Sequence, residues 1–313
     1  MSFKEDLIKN FTDKKLSDSS IKTYIRNLEM LNDEKPLKNF NFLNDTENIE
    51  KKIKSKKPNT QKNYYISIVT ALKNSGKKNK VLNFYYDKMM DLKKDIRQDL
   101  EKNEKTETQK ANWVEWQELI DKLADLKKQV LTFGKTINEK QYHTVLKFIV
   151  LSLYVEQQPR RNADYQFMNI VKGNPPNDVE NNFLVYDKKE FWFRKYKTAK
   201  SELKEEKTEL IIPIENGLFE NINIYLKYHP LLKGSKIIKS TNIPFLVNYK
   251  GEPLKSVNAI TYILNGITKK KIGSSMMRHL YLSSKYGDKL DEQKKDSVAM
   301  SHDLSTQKDY IKK

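Results

Sequence analysis

Arginine is the scarce cation of this 313-residue chain, with six arginines beside 53 lysines. They are Arg26, Arg97, Arg160, Arg161, Arg194 and Arg278. A drift towards lysine leaves arginine where lysine cannot replace it, at sites that need a planar, bidentate donor fork. Two of the six are adjacent, in Pro159-Arg160-Arg161-Asn162-Ala163-Asp164-Tyr165. A second group reads Ser275-Met276-Met277-Arg278-His279-Leu280-Tyr281, and a third runs from Met300 through His302 to Tyr310. Tyr196-Lys197-Thr198 lies between the first two. Cysteine is absent, which excludes disulfides, thiolate zinc sites and cysteine nucleophiles together. Four histidines remain for metal or acid–base work, and no metal site is expected. No G-x-x-x-x-G-K-[ST] phosphate loop is present, so nucleotide hydrolysis is unsupported.

These groups need elements to hold them. Hydrophobic residues at 37% and aromatics at 11% are enough for buried cores. No apolar run reaches the ~18 residues of a membrane helix, and the opening MSFKEDLIKN lacks a signal-peptide core. A soluble, intracellular protein is expected, with no membrane partner. Ile21, Tyr24, Ile25, Leu28 and Leu31 follow helical spacing, with Ser19 or Ser20 as N-cap. Pro58-Asn59-Thr60 starts a second helix carrying Tyr65, Ile68, Val69 and Leu72. Leu82, Tyr85, Met89, Leu92 and Ile96 make a third. Residues 101–111 contain no aromatic or large aliphatic side chain and read as a linker, or as an extension of the third helix. The expected domains are 1–105 and 106–313.

Beyond the linker, Trp113, Trp116, Ile120 and Leu123 restore helical spacing, and Val145–Tyr154 is a strongly apolar helix. Strand character follows. Phe183–Tyr186 and Phe191–Phe193 flank Asp187-Lys188-Lys189-Glu190 as a hairpin, and Leu210–Ile214 makes a third strand. A further short strand is expected at Phe245–Val247, with a turn at Gly251. The fold class is α+β, mainly α: a helical N-terminal domain, then a mixed α/β domain with a small antiparallel sheet.

The charge is uneven. Of a net +18, residues 51–100 hold +10, from 14 basic and 4 acidic side chains. The density peaks at Lys51, Lys52, Lys54, Lys56, Lys57 and Lys62. Compositional bias towards lysine would spread charge evenly, so a polyanion, a phosphate backbone first of all, is the better reading of the cluster.

Taken in order, the C-terminal groups resemble the boxes of the tyrosine recombinases, the lambda-integrase type of DNA strand-transfer enzyme. Arg161 with Asp164 matches that family's first box, and Lys197 its hairpin lysine. Arg278-His279 matches the second half of the His-x-x-Arg-His box, and His302 with Tyr310 the last. The match runs from Arg161 to Tyr310, about half of the chain, and the N-terminal helices resemble the family's core-binding domain. Composition and first box are also similar to recombinases of large DNA viruses and their satellites. Two departures stand out. Ser275 replaces the first box histidine, and His302 to Tyr310 spans eight residues, one short of the usual spacing.

The resemblance implies cleavage and rejoining of double-stranded DNA through a 3′-phosphotyrosyl link, with no cofactor, metal or ATP, by a homotetramer on DNA. The compartment is then wherever the target DNA lies. Tyr310 would be the nucleophile, Arg161 and Arg278 the phosphate clamp, Lys197 the general acid ahead of Lys200, and His302 a phosphate or proton partner. Removing a donor of the clamp kind typically costs ~2.7–4 kcal/mol in the transition state. His279 reads as a structural partner of Arg278. Lys51, Lys52, Lys54, Lys56, Lys57 and Lys62 would lie on phosphates. The rival readings are a type IB-like topoisomerase and a catalytically inactive DNA-binding protein of the same fold.

Overall fold

The computed structural model describes residues 2–74, 80–199, 209–232 and 243–299. The chain forms two compact units, Met1–Lys105 and Thr106–Lys313. The fold is α+β and mainly helical.

The first unit is all helix: α1 (Phe3–Asp13), α2 (Asp18–Leu31), α3 (Thr46–Lys54), α4 (Pro58–Asn74) and α5 (Lys80–Glu101). Side-chain oxygens close three of the starts. Ser2 forms a capping box with Glu5, Ser17 accepts from the Ser20 amide, and Asp45 accepts from the Asn48 amide. The α2 cap is therefore Ser17, two residues before the first of the expected serines. Helix α4 begins at Pro58, whose fixed φ suits the first helical turn. Phe11, Leu28, Ile53, Ile68 and Tyr85 are fully buried between the helices, each contributing about 1.5–3 kcal/mol by leaving water. The Tyr85 hydroxyl donates to the Leu43 carbonyl at 2.8 Å, so even the polar end of this core residue is satisfied.

The expected linker divides. Helix α5 ends at Glu101, and α6 (Glu107–Asn112) starts on a Thr106–Gln109 capping box. The second unit continues with α7 (Trp116–Leu131), α8 (Glu139–Val155), α9 (Asn162–Gln166), β1 (Asn169–Val171), β2 (Phe183–Val185), β3 (Glu190–Phe193) and β4 (Leu210–Pro213). Then come α10 (Asn216–Lys227), β5 (Ile243–Pro244), α11 (Ala259–Thr268) and α12 (Ser274–Ala299). Helix α8 is apolar nearly all round and is buried from Val145 to Tyr154 except at Lys147. A helix with so little polar face belongs at the centre, and α7, α10 and α11 pack around it.

The sheet runs β4-β3-β2-β1-β5. The β2–β3 hairpin turns where the sequence indicates, pairing Phe183 with Trp192 and Leu184 with Phe191. The sheet is mixed, however, because β1 pairs with β2 in parallel; the other pairings are antiparallel. Strand β1 carries no alternation in its three residues and was not expected from the sequence. Parallel neighbours need a crossover, and residues 172–182 supply it. Arg194 holds that loop by donating to the Pro176 carbonyl at 2.7 Å and the Asp178 carbonyl at 3.1 Å. The last strand is shifted from Phe245–Val247 to Ile243–Pro244. Val247 instead bridges Pro253 across the turn at Gly251, whose φ of 83° suits glycine.

Candidate phosphate site and basic patch

The site begins where α8 stops. Helix α8 ends at Val155, and Pro159 disfavours helix for the residue before it. Arg161 then serves as the N-cap residue of α9 with φ −73° and ψ 150°. The adjacent arginines diverge. Arg160 donates from Nε to Asp164 Oδ2 at 2.9 Å, and its guanidinium lies 3.9 Å over the Phe193 ring and 5.2 Å over Tyr196. Arg160, not Arg161, is thus the ion-pair partner of Asp164. Burial nonetheless raises the Asp164 pKa, outweighing the pull of Arg160 and then Arg161. Arg161 is half-buried, and among the described residues its side chain has no hydrogen-bond acceptor or acid partner.

Arg278 sits early in α12, also half-buried, with Nε donating to the Ser274 carbonyl at 3.2 Å. Its charge reaches the hydroxyl of Tyr154. That hydroxyl, whose pKa burial drives far upward, donates to Asn162 Oδ1 at 2.6 Å, and Asn162 Nδ2 donates to Thr261 Oγ1 at 2.8 Å. One amide beside Arg161 therefore ties α8, α9 and α11 together at the point Arg278 approaches.

The other arginines are neutralised. Arg26 pairs with Glu34 at 3.0 Å, Arg97 with Glu101 at 3.0 Å, Arg160 with Asp164, and Arg194 with Glu209 at 3.1 Å. Among the described residues, Arg161 and Arg278 alone of the six lack a carboxylate. A partly desolvated cation without a counter-ion is unfavourable in isolation. Such a pair suits an anion that arrives from outside.

Lys197 is exposed on the turn after β3, with no ion pair among the described residues. Its turn is anchored by the buried Asn182. The Asn182 Nδ2 donates to the carbonyls of Asp164 (3.0 Å) and Lys195 (2.9 Å), while Oδ1 accepts from the amides of Arg194 and Lys195, both at 2.9 Å. Arg160 over Tyr196 makes a second tether between the α9 corner and this turn. Ser275 and His279 lie on α12 beside Arg278, whose Nε is taken by the Ser274 carbonyl and not by His279, so the expected structural partnership is not formed. Lys200, His302 and Tyr310 lie outside the described residues.

In the first unit the lysine cluster separates into two kinds. Lys52 donates to Asp33 at 2.5 Å and to the Leu31 carbonyl at 3.0 Å. Lys54 and Lys88 lie 3.2 Å and 2.9 Å from the Glu50 carboxylate, which Lys88 foremost holds below the usual carboxylate range. Lys51, Lys56, Lys57 and Lys62 have no acid partner among the described residues. Lys62 donates only to Asn59, at 3.2 Å. These four flank the turn between α3 and α4.

The residues that sequence reasoning missed are Tyr154, Asn162 and Asn182, with Arg160 taken only as a neighbour. Their signal is weak, since a buried tyrosine and two asparagines have no spacing rule. No protein-family model, curated protein or solved structure matches the chain.

Proposed function

We propose that this protein cleaves and rejoins double-stranded DNA by tyrosine-recombinase chemistry. The observation that supports the reading is the pair Arg161 and Arg278, half-buried and without a carboxylate among the described residues. In a transesterification the phenol of Tyr310 loses its proton to solvent, and its oxygen bonds to phosphorus as the bond to the 5′ oxygen breaks. Charge grows on the non-bridging oxygens, and two guanidinium forks without a carboxylate among the described residues meet it. The leaving 5′ oxygen takes a proton from Lys197, and a 5′ hydroxyl attacking the phosphotyrosine reverses the step. Bond energy is conserved in the covalent link. His302 assists at the phosphate. Lys51, Lys56, Lys57 and Lys62, which have no acid partner among the described residues, hold phosphates further along the duplex, without reading bases.

The experiment is a nicked suicide substrate, in which cleavage releases a short strand and traps the covalent complex. The full chain forms a protein–DNA adduct, and Tyr310→Phe abolishes it while leaving DNA affinity unchanged. An adduct that survives Tyr310→Phe overturns the proposal.

A further inference from the structure

At the opposite end of α8 from the arginine pair lies a cavity of about 750 Å³. Helix α8 has 17 residues, so the two places are roughly 20–25 Å apart at ~1.5 Å per residue. The loop between α7 and α8, the end of α10 and the turn at Tyr249 form its walls. Phe133, Tyr228 and Tyr249 supply ring surface, and Lys135 and Lys227 supply charge from two walls.

The walls are tied in place. The Tyr228 hydroxyl donates to the Phe133 carbonyl at 3.1 Å, and the Tyr249 hydroxyl to the Ile137 carbonyl at 3.4 Å. Behind them the Tyr142 hydroxyl donates to the Val247 carbonyl at 3.1 Å. With these hydroxyls engaged on the backbone, the tyrosines offer a ligand their rings. His229, also on the wall, is buried with both nitrogens occupied: Nε2 on the Pro244 carbonyl at 3.0 Å and Nδ1 accepting from the Leu231 amide at 3.3 Å. It supports the wall and has nothing left for a ligand.

The charged groups left over favour an anion. Among the described residues, neither Lys135 nor Lys227 has an acid partner, and the amides of Gly134, Lys135, Thr136 and Ile137 donate to nothing. A cavity of this size falls in the range of small-molecule sites. Ring faces stack planar heterocycles, while lysines and free amides take phosphate oxygens. A plain carboxylate or phosphate leaves the rings unused, and a neutral aromatic leaves the cations and amides unused.

We propose that the cavity at the start of α8 is a nucleotide site, holding a base between the rings of Tyr228, Tyr249 and Phe133 and a phosphate on Lys135, Lys227 and the 134–137 amides. The same chemistry is presented by a free nucleotide and by an unpaired, 5′-phosphorylated end of a strand. The site does not depend on the strand-cleavage reading above, since the two share no residue.

The full chain is titrated with ADP and with a 5′-phosphorylated hexadeoxynucleotide, while hydrogen exchange follows residues 133–137. ADP protects that loop if the ligand is a free nucleotide; only the oligonucleotide does so if it is a strand end. Adenosine or inorganic phosphate alone binds more weakly than the intact ligand. Each exposed charge is worth on the order of a two- to fivefold factor, so the surface variant Lys135→Gln/Lys227→Gln weakens binding about tenfold. Tyr249→Leu, which keeps the apolar volume, costs about five- to hundredfold by loss of stacking. Protection of the loop by neither probe, or binding indifferent to both variants, overturns the inference.

Discussion

The two basic regions of this protein hold their charge in opposite ways. Around the α3–α4 turn, Lys51, Lys56, Lys57 and Lys62 are flexible cations without an acid partner among the described residues. Arg161 and Arg278 likewise have no carboxylate among the described residues, but both are half-buried, Arg161 on a corner stitched by Tyr154, Asn162 and Thr261 and Arg278 on α12 with Nε on the Ser274 carbonyl. A solvated ammonium on a long stem tolerates a moving or variable phosphate. A planar fork fixed on a buried scaffold suits one phosphate in one geometry. On the proposed function the difference would separate gripping from chemistry, with different costs for losing each.

Replacing Arg161 or Arg278 with lysine keeps the charge and loses the fork. Each change is expected to slow cleavage of the suicide substrate about 100- to 1,000-fold, the ~2.7–4 kcal/mol typical of a lost transition-state donor. Affinity for uncleaved duplex should hardly move. Equal losses of affinity and rate would place these arginines with the grip and dissolve the contrast.

Asn182 probes the scaffold rather than the charge. Asn182→Ala leaves the Arg194 and Lys195 amides and the Asp164 and Lys195 carbonyls without their partner. Each buried unpaired group costs about 1–3 kcal/mol. Denaturant unfolding should show the loss in the second unit, with the cleavage rate falling because the Lys197 turn is released.

Neutralising Lys51, Lys56, Lys57 and Lys62 to glutamine attacks the grip. The dependence of log affinity on log salt should become shallower by about 0.9 for each phosphate the protein no longer neutralises. The same change at Lys52 and Lys54, already engaged by Asp33 and Glu50, should do less. A matching drop from the paired lysines would show that the two kinds are equivalent in solution.

The smallest effect concerns pH. Burial lowers the pKa of His229 below its ordinary 6.5, against the weaker pull of the Pro244 and Phe245 carbonyls. Well above pH 6.5 the ring is neutral folded and unfolded, and it adds no pH dependence. As pH falls below 6.5 the unfolded chain takes up a proton that the folded chain refuses, so stability declines with acidification. His229→Gln should flatten this part of the stability–pH curve, measured by thermal unfolding between pH 5 and 7.

Helices α2, α4, α5, α7 and α8 were legible in the sequence because apolar spacing is a local signal. Pro58 opens α4 and the apolar run of α8 is central, both as their residues dictate. The parallel β1–β2 pairing was not legible, because three residues carry no period and the pairing depends on the 172–182 crossover. In the site, the order of the boxes pointed to Arg161, Lys197 and Arg278. It could not show which of two adjacent arginines meets Asp164, since they stand four and three residues before it and either spacing allows a pair on a helix.

The sequence by itself determined the helical stripes, the hairpin, the absence of thiol chemistry and the uneven placement of charge, since composition and short-range spacing suffice for these. Only the tertiary structure decided which charges are already spent. Asp164, Glu209, Glu34 and Glu101 each neutralise an arginine, Asp33 and Glu50 take up two of the clustered lysines, and Arg161 and Arg278 are left over. Arg97–Glu101, Arg160–Asp164 and Lys54–Glu50 have the four-residue spacing a helix can use, but Arg26–Glu34, Arg194–Glu209 and Lys52–Asp33 are brought within about 3 Å only by the fold.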